Sequence, residues 1–156
     1  MASGSITTEP IDVAALVASI RSPRHGAYVT FAGDVREHDD GRIVIEIEYV
    51  AYSKLALNQL LRILNQAEER WRDCRCAAAH RTGMLRIGET SVGIAVASAH
   101  RAEAFEACRW IIDAFKTELP IWKRERFESG DQVWIEGDAR VSACAPESDF
   151  ADENAS

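Results

Sequence analysis

The stretch SAHRAEAFEACRWIIDAFKTELPIWKRE, residues 98 to 125, holds an amphipathic helix, a proline stop and a short basic segment, and the rest of the chain is read outward from it. Ala104, Cys108, Ile111 and Phe115, with Phe105 and Ile112 beside them, recur at three- and four-residue steps and share one apolar helix face. Glu103, Glu106, Arg109, Asp113 and Lys116 fall opposite, spaced for weak Glu106–Arg109 and Arg109–Asp113 pairs. Ser98 is the expected N-cap. Pro120 pushes Leu119 out of helical geometry, so the helix is predicted to end near Glu118 with Lys116 on its last turn.

Basic groups flank this helix: His100 and Arg101 at its start, Lys116 at its end, and Lys123, Arg124 and Arg126 after Pro120. The chain has a formal net charge of −7, so such a concentration of cations points to an anionic ligand. Taken singly, each lysine also fits ordinary surface charge, since a helix C-terminus favours cations.

With 156 residues, 47% of them hydrophobic, the chain has enough apolar material for one core and reads as a single domain over residues 1–136. Residues 137–156 hold five acidic groups against Arg140 and read as an acidic, flexible tail. No apolar run reaches the roughly 20 residues of a membrane span, and MASGSITTEP lacks the apolar centre of a signal peptide, so a cytoplasmic protein is expected. The cysteines Cys74, Cys76, Cys108 and Cys144 have no metal-ligand spacing and read as reduced thiols, Cys108 as a small core residue. Neither a metal nor a cofactor is expected. Nucleic acid is a poor partner, because there is no extended basic face.

Residues 1 to 9 read as a flexible lead-in, followed by a short helix with Pro10 in its first turn that runs to about Arg21. Ala27 to Val35 and Arg42 to Tyr52 are two strands expected to pair as a hairpin, the second alternating Ile43, Ile45, Ile47 and Tyr49 against Glu46 and Glu48. Asp40-Gly41 is a turn signal in a loop long enough to reach over a site. Ser53 is the expected cap of a second long helix, with Leu57, Leu60, Leu61, Leu64, Ala67 and Trp71 as its apolar stripe. Cys74 to Thr82 and Ser91 to Ala97 read as strands with a turn or short extended piece between them. Trp122 to Phe127 and Gln132 to Glu136 make a final pair around Ser129-Gly130-Asp131. The resulting order, α-ββ-α-ββ-α-ββ, argues an α+β fold with a largely antiparallel sheet and helices packed on one side.

G-x-G-x-x-G, P-loop, nucleophile-elbow and H-E-x-x-H signatures are absent. His25, His38 and His80 read as turn, loop and strand histidines, and Asp39 and Asp40 as turn residues. What remains is Arg36, His100, Arg101, Lys116 and Lys123. His100 and Arg101 at a helix N-terminus make a phosphate seat, while Phe31 or Trp122 offers a ring to stack on a heterocycle, although core packing accounts for both. The residues alone thus reach a cationic pocket for a phosphorylated small molecule, with a lysine near the chemistry.

FAGDVREHDDG (31–41), EYVAY (48–52), HRTGMLRIGE (80–89) and above all HRAEAFEAC followed by K-x-x-x-P-I-W-K-R-E resemble the large, catalytic subunit of molybdopterin synthase over about Gly26 to Trp134. That resemblance implies an α/β hammerhead-type α+β fold and a homodimer of large subunits. A small ubiquitin-like sulfur carrier at each outer end completes a heterotetramer. It implies a sulfurtransferase of molybdenum cofactor biosynthesis that moves two sulfurs from Gly-Gly thiocarboxylate C-termini onto cyclic pyranopterin monophosphate, forming the molybdopterin dithiolene. By motif position Lys116 and Lys123 are its catalytic lysines, Arg36, His100 and Arg101 its anion-binding groups, and Phe31 and Glu125 substrate-pocket residues. Lys116 is expected to transfer protons and Lys123 to stabilise negative charge. The neighbouring subunit's basic residue has no clear counterpart: Asp138 falls near it and Arg140 is the nearest cation. A non-catalytic scaffold paralogue and another thiocarboxylate-dependent sulfurtransferase remain as alternative readings of the same motifs.

Overall fold

The computed structural model describes residues 1–137 and the backbone of residues 139–141. The lead-in is a strand. β1 (Ser3–Thr7) runs parallel to β5 (Arg75–Arg81), pairing Ser3 with Ala77 through to Thr7 with Arg81. Its apolar content is too low to signal a strand, and its position depends on a bare backbone: a Cβ on Gly4 would lie 2.2 Å from Leu60 Cδ2. The first helix, α1 (Val13–Ser19), starts later than Pro10 because Asp12 caps it, its side chain accepting from the Ala15 N–H at 3.0 Å.

β2 (Ala27–Asp34) and β4 (Arg42–Ala51) form as expected but do not pair with each other. β2 lies antiparallel to β7 (Thr90–Ser98), completing a four-stranded sheet ordered β1-β5-β7-β2. The loop after β2 carries the chain to a second sheet. There β3 (His38–Asp39) and β4 make the tight hairpin, with positive φ at both Asp40 (50°) and Gly41 (75°). The second sheet continues through β8 (Ile121–Phe127), β9 (Gln132–Glu136) and β10 (Ala139–Val141), with β6 (Gly83–Arg86) also on β4. Within the acidic 137–156 segment, Ala139–Val141 therefore extends a sheet, while the Arg140 side chain and residues 138 and 142–156 lie outside the described residues.

The isoleucine alternation on β4 breaks. A register shift between Val44 and Glu46 buries Val44 and Ile47 and leaves Ile43 and Ile45 exposed, because an extra residue in the ladder flips the following side chains. On the solvent side, Arg124 pairs with Glu48 and Arg126 with Glu46 directly across β4 and β8.

The two long helices, α2 (Ser53–Arg70) and α3 (Arg101–Glu118), pack on one face of the first sheet. Their buried stripes meet Cys76, Ala78, Ile94 and Val96. The α2 stripe is Ala56, Leu60, Ile63, Leu64 and Ala67, rotated from the expected one, and Ser53 is its first helical residue instead of its cap. On α3, Ala104, Cys108, Ile111 and Phe115 are buried as expected, but Phe105 is 63% exposed. Glu106 accepts from the Trp71 indole (3.3 Å), and Arg109 pairs with Asp113 (3.8 Å). The short α1 covers the sheet's opposite face, where Leu16, Val17 and Ile20 meet Ala77, Ala95 and Ala97.

Candidate active site

Pro120 determines where the two lysines go. α3 ends at Glu118 as expected, Leu119 turns extended (φ −74°, ψ 130°), and β8 begins at Ile121. The reversal folds Lys123 back towards Lys116 on the last helical turn, and both line two adjoining cavities. One is a slot of about 50 Å³ with largely apolar walls: Ile112, Phe115, Leu119, Ile121, Trp122 and Ile135, with Tyr49 and His80. The other, of about 130 Å³, is polar, with Phe31, Asp34, Arg36, His38, Asp39 and Glu125. Tyr49, Ser91 and Val92 join the lysines on the shared wall.

β8 presents Lys123 and Glu125 on the same inward face, two residues apart. Lys123 Nζ lies 2.9 Å from Glu125 Oε1. The Glu125 residue is 2% exposed, and its Oε2 is buried without a hydrogen-bond partner. Arg36, on the loop after β2, is mostly exposed and lies 3.7 Å from Asp39. Phe31, half-buried on β2, closes the same cavity.

Five of the seven site residues expected from sequence, Phe31, Arg36, Lys116, Lys123 and Glu125, thus converge within one protomer. His100 and Arg101 do not join them. They sit at the opposite end of α3, about 22 Å away along 15 residues of helix. His100 takes the N-cap position with extended backbone and makes no side-chain cap bond, whereas Ser98, the expected cap, closes β7 and is buried. His100 lines a separate cavity with Asp73, Ser98 and Glu103.

The site also includes Tyr49 and His80, which periodicity alone does not single out. His80 Nδ1 donates to the Arg81 carbonyl at 3.0 Å, and its ring meets Tyr49 edge-on at 5.5 Å. Burial, assisted by the Lys116 charge, pushes its pKa down to about 4. The available signal was the two-residue step Cys76, Ala78, His80, which aims all three at the α3 side of the sheet.

Burial raises the Cys76 thiol far above its usual range, lifts Cys108 to about 11, and raises Cys74 as well. These three buried thiols are poor nucleophiles. Among the described residues no cluster of three His, Cys, Asp or Glu side chains is arranged to hold a metal, and no helix is long and apolar enough to cross a membrane.

Residues 6–118 match the model of the MoaE protein family. The molybdopterin synthase catalytic subunit of Thermoplasma volcanium is 42% identical over 129 residues, covering 83% of this chain and 94% of its own length. The crystal structure of molybdopterin synthase from Staphylococcus aureus superposes with a TM-score of 0.81 at 34% identity, covering 84% of this chain and 95% of that one, so the α/β hammerhead-type α+β fold expected from the motifs is the fold observed. A complex of subunits 1 and 2 of molybdopterin-converting factor from Helicobacter pylori shares the fold at a TM-score of 0.66 and 21% identity, covering 92% of this chain and 91% of that one. With its two lysines meeting where an apolar slot opens on a polar cavity, and with relatives matching along most of its length, the chain belongs to the MoaE protein family of molybdopterin synthase catalytic subunits.

Proposed function

We propose that this chain converts cyclic pyranopterin monophosphate to the dithiolene molybdopterin, taking two sulfurs from the C-terminal thiocarboxylates of a small ubiquitin-like carrier. The observation that carries this reading is the position of Lys116 and Lys123 on the wall shared by two cavities of opposite character. The slot suits a Gly-Gly tail, because only a backbone without side chains threads so narrow an apolar passage. The polar cavity suits the pterin: Phe31 offers a ring face and Arg36 a charge for the phosphate. The reacting thiocarboxylate then lies between the lysines. Over the two transfers two C–S bonds form on the pterin side chain as the carriers' two C–S bonds break. One oxygen given up by the pterin side chain and one water supply the oxygens with which both carriers leave as carboxylates, with no net redox change.

Lys123, paired with Glu125, stabilises the thiocarboxylate and the departing carboxylate. Lys116 moves the proton. That role calls for a neutral amine, which desolvation favours once the tail has excluded water. The raised pKa values of Cys74, Cys76 and Cys108 argue against a relay through these thiols.

His100 and Arg101 fit the reading as substrate-binding groups only through a second copy of the chain, since one α3 helix keeps them far from its own Lys116. A homodimer of large subunits with a carrier at each end meets that need. The Helicobacter pylori complex of two subunits, whose fold this chain shares, supports the carrier as partner. Both reactants are water-soluble, and the reading assigns the reaction to the cytoplasm.

The deciding experiment incubates the chain with thiocarboxylated carrier and the cyclic substrate. Dithiolene product is expected, with one carrier carboxylate released per sulfur. Carrier consumption without dithiolene would identify a different thiocarboxylate-dependent sulfurtransferase, and no consumption would identify a scaffold.

A further inference from the structure

His80 lies where the inward face of β5 runs past the last turn of α3 and opens on the slot. It is 9% exposed. Its neutral ring carries one proton, and the Arg81 carbonyl, which can only accept, fixes that proton on Nδ1. Nε2 therefore presents a lone pair, and no donor among the described residues bonds it. Nε2 is not among the fully enclosed polar atoms without a partner, so it keeps some exposure on the slot that His80 lines, where a donor arriving with a ligand can reach it. Tyr49, which packs on this ring, stands opposite Lys123 in the β4–β8 ladder, so a ligand reaching the lysines through the slot passes His80. The slot's other walls are mostly apolar side chains that offer a peptide N–H no acceptor.

We propose that His80 Nε2 accepts a hydrogen bond from a backbone N–H of the glycine tail that enters the slot, fixing the tail's register so that its terminal carbon lies between Lys116 and Lys123. This rests on the proposed sulfur-carrier reading. His80 acts on the reaction through the tail's position and is a specificity-determining residue, one that selects a donor-bearing backbone.

The test compares the affinity of the carrier subunit with its intact tail against that of a carrier lacking its last two glycines. For the unmodified protein the intact carrier binds more tightly. His80→Phe keeps the ring against Tyr49 and removes the acceptor, so it should weaken the intact carrier about three- to tenfold while leaving the truncated carrier unchanged. His80→Gln, which restores an acceptor, should recover much of the loss. Equal weakening of both carriers by His80→Phe would make the role structural and overturn the inference. If truncation made no difference to the unmodified protein, the tail reading itself would fail, a distinct result. Nitrogen-15 NMR of the unmodified protein needs no variant: the Nε2 resonance should move on adding the intact carrier and stay fixed with the truncated one, and an unmoved resonance with the intact carrier would also overturn the inference.

Discussion

Lys123 Nζ stands 2.9 Å from Glu125 Oε1 on the inward face of β8, and the other oxygen of that buried carboxylate has no partner. The pair fixes a cation at the boundary of two cavities and leaves a second, buried acceptor on a residue that lines one of them. Glu125→Gln keeps the shape and removes the charge. A charge-assisted hydrogen bond contributes about 1.5–3 kcal/mol, so sulfur transfer should fall roughly ten- to hundredfold. Single-turnover kinetics alongside carrier affinity check this: the rate should drop while carrier binding holds.

The lysines have different neighbours and should answer differently to arginine. Lys116→Arg keeps the charge but cannot give up a proton near neutral pH, so turnover should nearly vanish. Lys123→Arg keeps what a charge stabiliser needs beside Glu125 and should retain measurable turnover. Steady-state assays of both variants are decisive, and equal, mild losses would rule out the division of labour.

The length of α3 leads to a mixing experiment. Arg101→Ala should weaken substrate binding by roughly tenfold or more if Arg101 holds the phosphate. If it does so for the neighbouring copy, mixed dimers of Arg101→Ala and Lys116→Ala chains regain part of the activity that each lacks alone, because one site per mixed dimer is intact. Absence of recovery in verified mixed dimers would place Arg101 outside the neighbour's site.

His80 makes stability depend on pH in a defined window. Its folded pKa of about 4 lies below the usual 6.5, so the unfolded chain binds the proton more readily between those values. The contribution is complete above about pH 6.5 and is lost as pH falls towards 4, a total of about 3 kcal/mol. Urea unfolding of the protein and of His80→Gln, compared across this range, should show the protein losing stability relative to the variant as the solution is acidified.

The local elements were legible because local chemistry sets them. The α3 stripe, the Pro120 stop, the Asp40-Gly41 turn and the β8–β9 pair each follow from spacing or backbone restriction within a few residues. The K-x-x-x-P-I-W-K-R-E motif likewise placed Lys116 and Lys123 on either side of a reversal, so that five expected site residues converge.

Long-range pairing was not legible. β2 and β4 are good strands adjacent in sequence, yet strand propensity does not say which strand supplies the partner, and β7 and β8 take those places. β1 is a strand through its fit beside β5 and under Leu60, and Val44 faces inward because of a bulge that no two-residue pattern encodes. For the site, sequence alone supplied the charges and their chemical types. Tertiary structure decided that Glu125 would be buried against Lys123, that His80 would be neutral, and that His100 and Arg101 would lie a helix length from Lys116. Burial and distance arise from the packing of segments far apart in the chain, and they determine what a given charge can do.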